Sequence, residues 1–278
     1  MSVSICAVIA VRNEAPYLEY LLPHLAAQDI DVAVLDHGSE DATRTLLEEH
    51  RGDPVTRIEQ LPYRGTFALE EQLTAKRLLI GTLTQDWIIH LDADEILEHR
   101  NPGSSLRAAI EEAQGFGANV VNFEEFTFIP EPNADYSGRD YYAEMHRYYF
   151  FERWKNWLHR AWRRDAGLDN TALGGHVLSG EHIRMCPYTH VMRHYIALSQ
   201  SHIWRKYLTR SFAEAEVARG WHRDRVRMTR EALQLPTDDP CIKTLGTGGN
   251  ECLCRAAPVT SHYWHWPRER AEATGVQE

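Results

Sequence analysis

Four short apolar runs alternate with helical patterns along the first ninety residues, and polar side chains gather where three of those runs end. Ser4 to Ala10 is apolar and partly β-branched, the composition of a strand buried on both faces. Asn13, Glu14, Ala15 and Pro16 follow, and a proline is tolerated in a first helical turn, where its missing N–H has no intrahelical partner to lose. Tyr17 to Gln28 then carries Leu18, Leu21, Leu22 and Leu25 at helical spacing. Asp31 to Leu35 reads as a second strand, with Asp36 to Asp41 as its exit loop. Leu46 and Leu47 mark a helix, Val55 to Ile58 a weak third strand, Leu69 to Leu83 another helix, and Trp87 to Leu91 a fourth strand. Strands alternating with helices give βαβ units, hence an α/β fold with a mostly parallel sheet flanked by helices.

In an open sheet of this kind, ligands bind outside the carboxyl ends of the strands. The fourth run delivers Asp92 and Asp94 there, one residue apart. Two hard oxygen ligands suit Mg²⁺ or Mn²⁺, which commonly bridge substrate phosphate oxygens. An isolated Asp-x-Asp is a weak signal, because acids also crowd ordinary loops. Its weight here comes from company: Asn13 and Glu14, Asp36, and Asp92 stand at three strand exits.

Three segments carry a resemblance: Val11 to Glu14, Leu35 to Thr43, and Asp86 to Glu95. In this order and spacing they resemble the family 2 glycosyltransferases of the GT-A fold, over about residues 3 to 125. The resemblance implies a Rossmann-type donor-binding half over 1–125. Residues 126–278 are then an acceptor-binding half with a helical C-terminal extension. It implies transfer of a hexosyl group from a nucleotide sugar, UDP-linked for preference, to an acceptor hydroxyl, with inversion and a divalent Mn²⁺ or Mg²⁺. By the same resemblance Asp94 and Asp92 hold the metal, Asp36 and Glu14 orient base and ribose beside Asn13, and Lys76 meets phosphate. A late histidine, here His194, completes the metal shell. Two departures stand out. His37 occupies the place of a second Asp, and Lys76-Arg77 replaces a common Arg-Asn pair, giving up the bidentate fork of arginine.

Inversion requires a base for the acceptor hydroxyl. Glu181, Asp169 and His176 are candidates in the later half, and the sequence does not rank them. His176 lies in the glycine-flanked segment Leu173 to Glu181, whereas His194 lies in a denser run, Val191 to Ile196, that reads as a strand. Ser199 to Gly220 carries Trp204, Leu208, Phe212 and Val217 as a helical stripe. Ile129 to Arg139 reads as a long loop suited to an acceptor lid, and Pro236 to Asn250, with Gly246, Gly248 and Gly249, as a second mobile segment. Gln200 to Arg205 lacks the Gln-x-x-Arg-Trp pattern of processive synthases, so a single addition is expected rather than a polymer.

The net charge of −10, from 30 basic and 40 acidic side chains, argues against a nucleic-acid partner. No apolar run approaches the ~20 residues of a membrane span, so a cytoplasmic protein without transmembrane segments is expected. Arginines cluster at Arg153, Arg160, Arg163 and Arg164 and from Arg219 to Arg230, interleaved with Trp154, Trp157, Trp162 and Trp221. Such clusters fit solvated helix faces with anchoring aromatics, and they also fit a phosphate-bearing or lipid-linked acceptor and peripheral membrane contact. Cys241, Cys252, Cys254, His262 and His265 invite a zinc reading, but Cys-x-Cys is not the usual knuckle spacing, and reduced thiols are expected. Two other classes compete. A sugar-1-phosphate nucleotidyltransferase needs a Gly-rich basic signature near the first strand, and residues 8 to 16 hold no Gly and only Arg12. A non-catalytic nucleotide-sugar-binding protein would bind donor without turnover.

Overall fold

The computed structural model describes residues 3–152, 158–171, 174–246, 252–267 and 269–270. Arg153, Trp154, Trp157, Leu173, Gly248 and Gly249, singled out above, lie outside the described residues. The chain forms two compact units, one from the described residues within Met1–Glu124 and Asn156–Arg193, the other within Glu125–Lys155 and His194–Glu278. The chain passes between the units after Glu124, and the described residues of 156–193 belong to the first unit again.

In chain order the elements are β1 (Ile5–Val11), α1 (Ala15–Ala26), β2 (Asp31–Asp36), α2 (Thr43–Glu49), β3 (Val55–Gln60), α3 (Leu69–Ile80) and β4 (Trp87–Leu91). There follow β5 (Glu95–Glu98), α4 (Leu106–Gly115), β6 (Val120–Phe128), α5 (Tyr141–Glu144), β7 (Arg147–Phe151), β8 (His159–Arg163) and β9 (Met185–Tyr195). The last are α6 (Gln200–Leu208), α7 (Glu214–Ala218), α8 (Arg223–Val226) and β10 (Lys243–Thr244).

The first unit is the predicted βαβ arrangement. β1 pairs in parallel with β2 and with β4, and β2 pairs in parallel with β3. β8 then runs antiparallel beside β4, and residues 120–122 of β6 run antiparallel beside β8. β1 and β4 are apolar along their length because neighbours cover both faces. Cys6, Val8, Ala33, Leu35 and Ile88 pack with Leu79, Leu83 and Trp162 into one core cluster. Each Val, Leu or Ile side chain among them, fully buried, contributes about 1.5–3 kcal/mol relative to exposure. α1 begins on Ala15 with Pro16 in its first turn and buries Tyr17, Leu18, Leu21, Leu22 and Leu25, the stripe read from the sequence.

In the second unit, residues 125–128 of β6 pair antiparallel with β7, and β7 pairs antiparallel with β10. A core of Tyr149, Phe151, Ile203, Tyr207, Trp264 and Trp266 lies with them. The expected C-terminal helical region holds, among the described residues, three separate helices, α6, α7 and α8, rather than one continuous helix. The stripe from Ser199 to Gly220 breaks after Leu208, where the Thr209 hydroxyl donates to the Arg205 carbonyl at 2.7 Å. A side-chain bond of this kind competes with helix propagation, and the helix resumes only for the five residues of α7. The expected lid, 129–139, is pinned within this unit: Tyr136 N–H donates to Leu198 O at 2.9 Å and the Tyr136 side chain is buried. Among the described residues no helix is long and apolar enough to cross a membrane.

Candidate active site

The exits of β1 and β2 are tied together by local bonds. Asn13 takes a left-handed φ of 58°, and its side-chain oxygen accepts from the Glu40 N–H at 2.7 Å. Glu14 N–H donates to Thr43 Oγ1 at 2.9 Å. Arg12 lies over the Tyr63 ring at 3.5 Å and donates to the carbonyls of His37 and Gly38. Gly38 is required there: its φ is +66°, and a Cβ would lie 3.0 Å from Tyr63 Cβ. Asp36 is buried, accepting from Ser39 N–H at 2.9 Å and from Gln60 Nε2 at 3.1 Å. Asn13 therefore orders the loop that frames Asp36.

β4 ends in a turn that carries the acids. Asp92 N–H donates to Glu95 Oε2 at 3.1 Å, and Glu95 N–H returns to Asp92 O at 3.1 Å. Asp94 is buried and interacts electrostatically with Asp92. Lys76, buried on α3, donates to Leu91 O at 3.2 Å and lies 3.6 Å from Asp92. Burial pushes its ammonium pKa down, and Asp92 pulls the other way. Burial would raise the Asp92 carboxyl, but Lys76 and Arg160 outweigh it and hold the group below its ordinary value. Arg160 on β8 pairs with Glu95, both side chains almost wholly out of solvent. Removing one member of a buried pair typically costs about 3–5 kcal/mol, since the other charge is stranded.

A glycine-flanked segment closes on the same strand. Asn170 bonds the Nδ1 of His90 at 2.7 Å, and Arg160 donates to Gly175 O at 3.4 Å. Burial, then Lys76, Arg160 and His176, push the His90 pKa well below its ordinary value, so its ring stays neutral. A Cβ at Gly175 would lie 3.1 Å from the His90 ring and from Leu73. His176 follows directly and is within electrostatic reach of Asp92.

The structure thus brings Lys76, Asp92, Asp94 and His176 together, with Asp36, Asn13 and Glu14 at the neighbouring strand exits. The other two candidate bases have other surroundings. Asp169 lies 3.5 Å from Arg77 and bonds Thr171, while Glu181 is 94% exposed beside His182. His194 belongs to the second unit, where its Nδ1 meets Glu125 Oε1 at 2.6 Å and Thr127 Oγ1 donates to the same oxygen at 2.9 Å. A carboxylate bound at Nδ1 fixes the orientation of the ring. Arg160, read from the sequence as part of a solvated arginine cluster, is instead buried on β8, and the roles of Glu95 and His90 as buried partners escaped the sequence reading. Their signal was present, since charged side chains at inward positions of otherwise apolar strands need buried partners.

Asp92 and Asp94 are hard oxygen donors of the kind that hold Mg²⁺ or Mn²⁺ with one or two carboxylates, substrate phosphate and water supplying the rest. Among the described residues no group of three or more His, Cys, Asp or Glu side chains is arranged to hold a metal ion. The donor set fits a cation shared with a diphosphate rather than a cage built by protein alone. The C-terminal Cys and His side chains have separate partners: His262 bonds Tyr149 at 2.7 Å, His265 accepts from Trp264 at 3.0 Å, and Cys241 lies 3.8 Å from Arg270.

A mostly parallel sheet flanked by helices, with acids and buried cations at one strand end, defines an α/β protein. Residues 6–168, more than half of the chain, match Glycosyl transferase family 2, and the chain belongs to that family. Among solved structures it is similar to S. aureus TarS 1-349, with 12% identity over 69% of this chain and 60% of that one at a TM-score of 0.43. It is also similar to glucosyl-3-phosphoglycerate synthase from Mycobacterium tuberculosis in complex with Mn²⁺, UDP and glucosyl-3-phosphoglycerate. There the identity is 16% over 62% of this chain and 63% of that one, at a TM-score of 0.37. The chain spans about 60% of the length of the TarS fragment. No curated protein matches it.

Proposed function

We propose that the protein transfers a sugar from a nucleoside diphosphate donor, UDP first among those to test, to an acceptor hydroxyl with inversion. The observation that carries this reading is the acid turn at the end of β4, where Asp92 is backed by buried Lys76 and the neighbouring Glu95 by buried Arg160, in a family 2 chain. Asp94 and Asp92 would hold Mg²⁺ or Mn²⁺, which when bound supplies Lewis-acid stabilisation of charge on the departing diphosphate. Asp36 and Glu14, at the exits of β2 and β1, orient the nucleoside. Lys76 keeps Asp92 ionised and adds positive charge beside the diphosphate. What supports His176 as the proton acceptor is its electrostatic contact with Asp92, against the exposure of Glu181 and the Arg77 pairing of Asp169.

The test is a thermal-unfolding screen of nucleoside diphosphates with and without Mn²⁺, followed by assay of UDP release from UDP-sugars. A ligand that binds the folded state raises its stability by mass action. UDP should raise the unfolding temperature, and Mn²⁺ should enlarge the shift. No shift with any nucleoside diphosphate at millimolar concentration would defeat the proposal.

A further inference from the structure

The helix break after Leu208 leaves an opening within the second unit. A cavity of 530 Å³ lies between the end of α6, α7 and α8. Leu208, Phe212, Val217, Val226 and Met228 give it apolar walls. These include the last members of the stripe that would have packed along one continuous helix. Val226 is 54% exposed, so apolar surface faces water at this place. Arg210 and Arg225 line the same cavity against one carboxylate, that of the exposed Glu214.

One wall is braced from behind. The Phe212 ring stacks on His222 at 4.6 Å, and His222 lies 3.4 Å from Glu216, both side chains largely buried. Arg225 sits over the Tyr207 ring at 5.6 Å. A guanidinium carries five N–H donors, so an arginine that already meets protein groups still has donors for a further acceptor. Cavities of this size with mostly apolar walls and a few polar groups are the usual form of small-molecule sites.

We propose that this cavity binds an anionic amphiphile, an acyl- or prenyl-like chain ending in phosphate or carboxylate. The chain lies against Phe212, Val217 and Met228, and the anion meets Arg210 and Arg225. This gives the arginine-rich stretch 219–230 a part that the donor-site reading does not use. The cavity lies wholly within the second unit, so its failure would leave the proposed donor chemistry untouched.

The probe is octyl phosphate, kept below micelle formation and titrated calorimetrically into the full-length protein, with 1-octanol and butyl phosphate as comparisons. Each buried CH₂ contributes about fourfold in affinity, so butyl phosphate, four CH₂ groups shorter, should bind on the order of 10²-fold more weakly. 1-Octanol, lacking the anion, and the Arg225→Gln variant with octyl phosphate should each show a loss of about tenfold or more, the usual scale for a charge-assisted hydrogen bond. Val217→Trp should abolish binding by filling the space. Should that variant unfold early, Val226→Trp at the exposed rim decides instead. Octyl phosphate failing to bind at millimolar concentration, binding a folded tryptophan variant as it binds wild type, or binding no better than octanol would each overturn the proposal.

Discussion

Lys76 reaches Asp92 from the protein interior: an ammonium 2% exposed lies 3.6 Å from a carboxylate 50% exposed. The cation is fixed and the anion is half turned to solvent. Lys76→Met should therefore fold, because an unbranched apolar chain suits the buried site, while Asp92 loses a main influence holding its pKa down. The sign follows: Asp92 then takes up its proton at higher pH than in wild type. Mn²⁺-dependent UDP binding by the variant should weaken about tenfold at neutral pH, and its acid limb should move to higher pH. An acid limb identical to wild type would remove Lys76 from this role.

Asp94→Ala is expected to reduce Mn²⁺-dependent UDP affinity by more than ~10-fold, the scale of one lost charge-assisted contact. The carboxylate ends a turn outside the sheet, so the unfolding temperature should change by no more than about 4 °C. Isothermal titration with and without Mn²⁺ measures the first quantity and calorimetry the second. An unchanged Mn²⁺ dependence would show that the metal, if used, is held by other groups.

His176→Ala should leave UDP affinity within about twofold and lower transfer by about 10²–10⁴, the usual contribution of a general base. Glu181→Gln, at an exposed position, should behave as wild type in both assays. Equal losses of binding and transfer in His176→Ala would instead make this histidine part of the donor contact.

His190 should set part of the acid sensitivity of the fold. It is wholly buried, its Nδ1 accepts from the Arg100 N–H at 3.2 Å, and burial, then His99 and Arg100, lower its pKa from 6.5 to about 4. Between those values the unfolded chain binds a proton that the folded ring refuses. Stability therefore falls as pH drops from about 6.5 to about 4, by on the order of 3 kcal/mol. His190→Gln can still accept the Arg100 bond. Its urea-unfolding free energy should decline less between pH 7 and pH 4.5 than that of wild type.

The strand exits were legible because period and polarity coincide there: β1 ends two residues before Asn13, β2 ends on Asp36 itself, and β4 ends one residue before Asp92. The weak third strand was real and ran two residues further, to Gln60. What connects distant segments was not legible. Arg160 pairs with Glu95 across 65 positions and Asn170 with His90 across 80, and no local pattern announces such partners. The stripe Trp204, Leu208, Phe212 and Val217 misled for the complementary reason. Its spacing matches one continuous helix, yet α6 stops at Leu208 and α7 starts only at Glu214, and side-chain spacing does not register where the backbone leaves the helix.

Gly175 has a consequence for how the first unit comes apart. A Cβ at Gly175, whose φ is +85°, would press on the His90 ring and on Leu73 at 3.1 Å, and Asn170 holds the same ring at Nδ1. His90 is thus clasped by a segment 80 residues later while its own backbone sits in the middle of the sheet. Neither part can open alone without exposing an imidazole that is kept neutral by burial. Amide hydrogen exchange should accordingly register β4 and residues 169–179 as a single opening event, with one shared free energy, despite their separation along the chain.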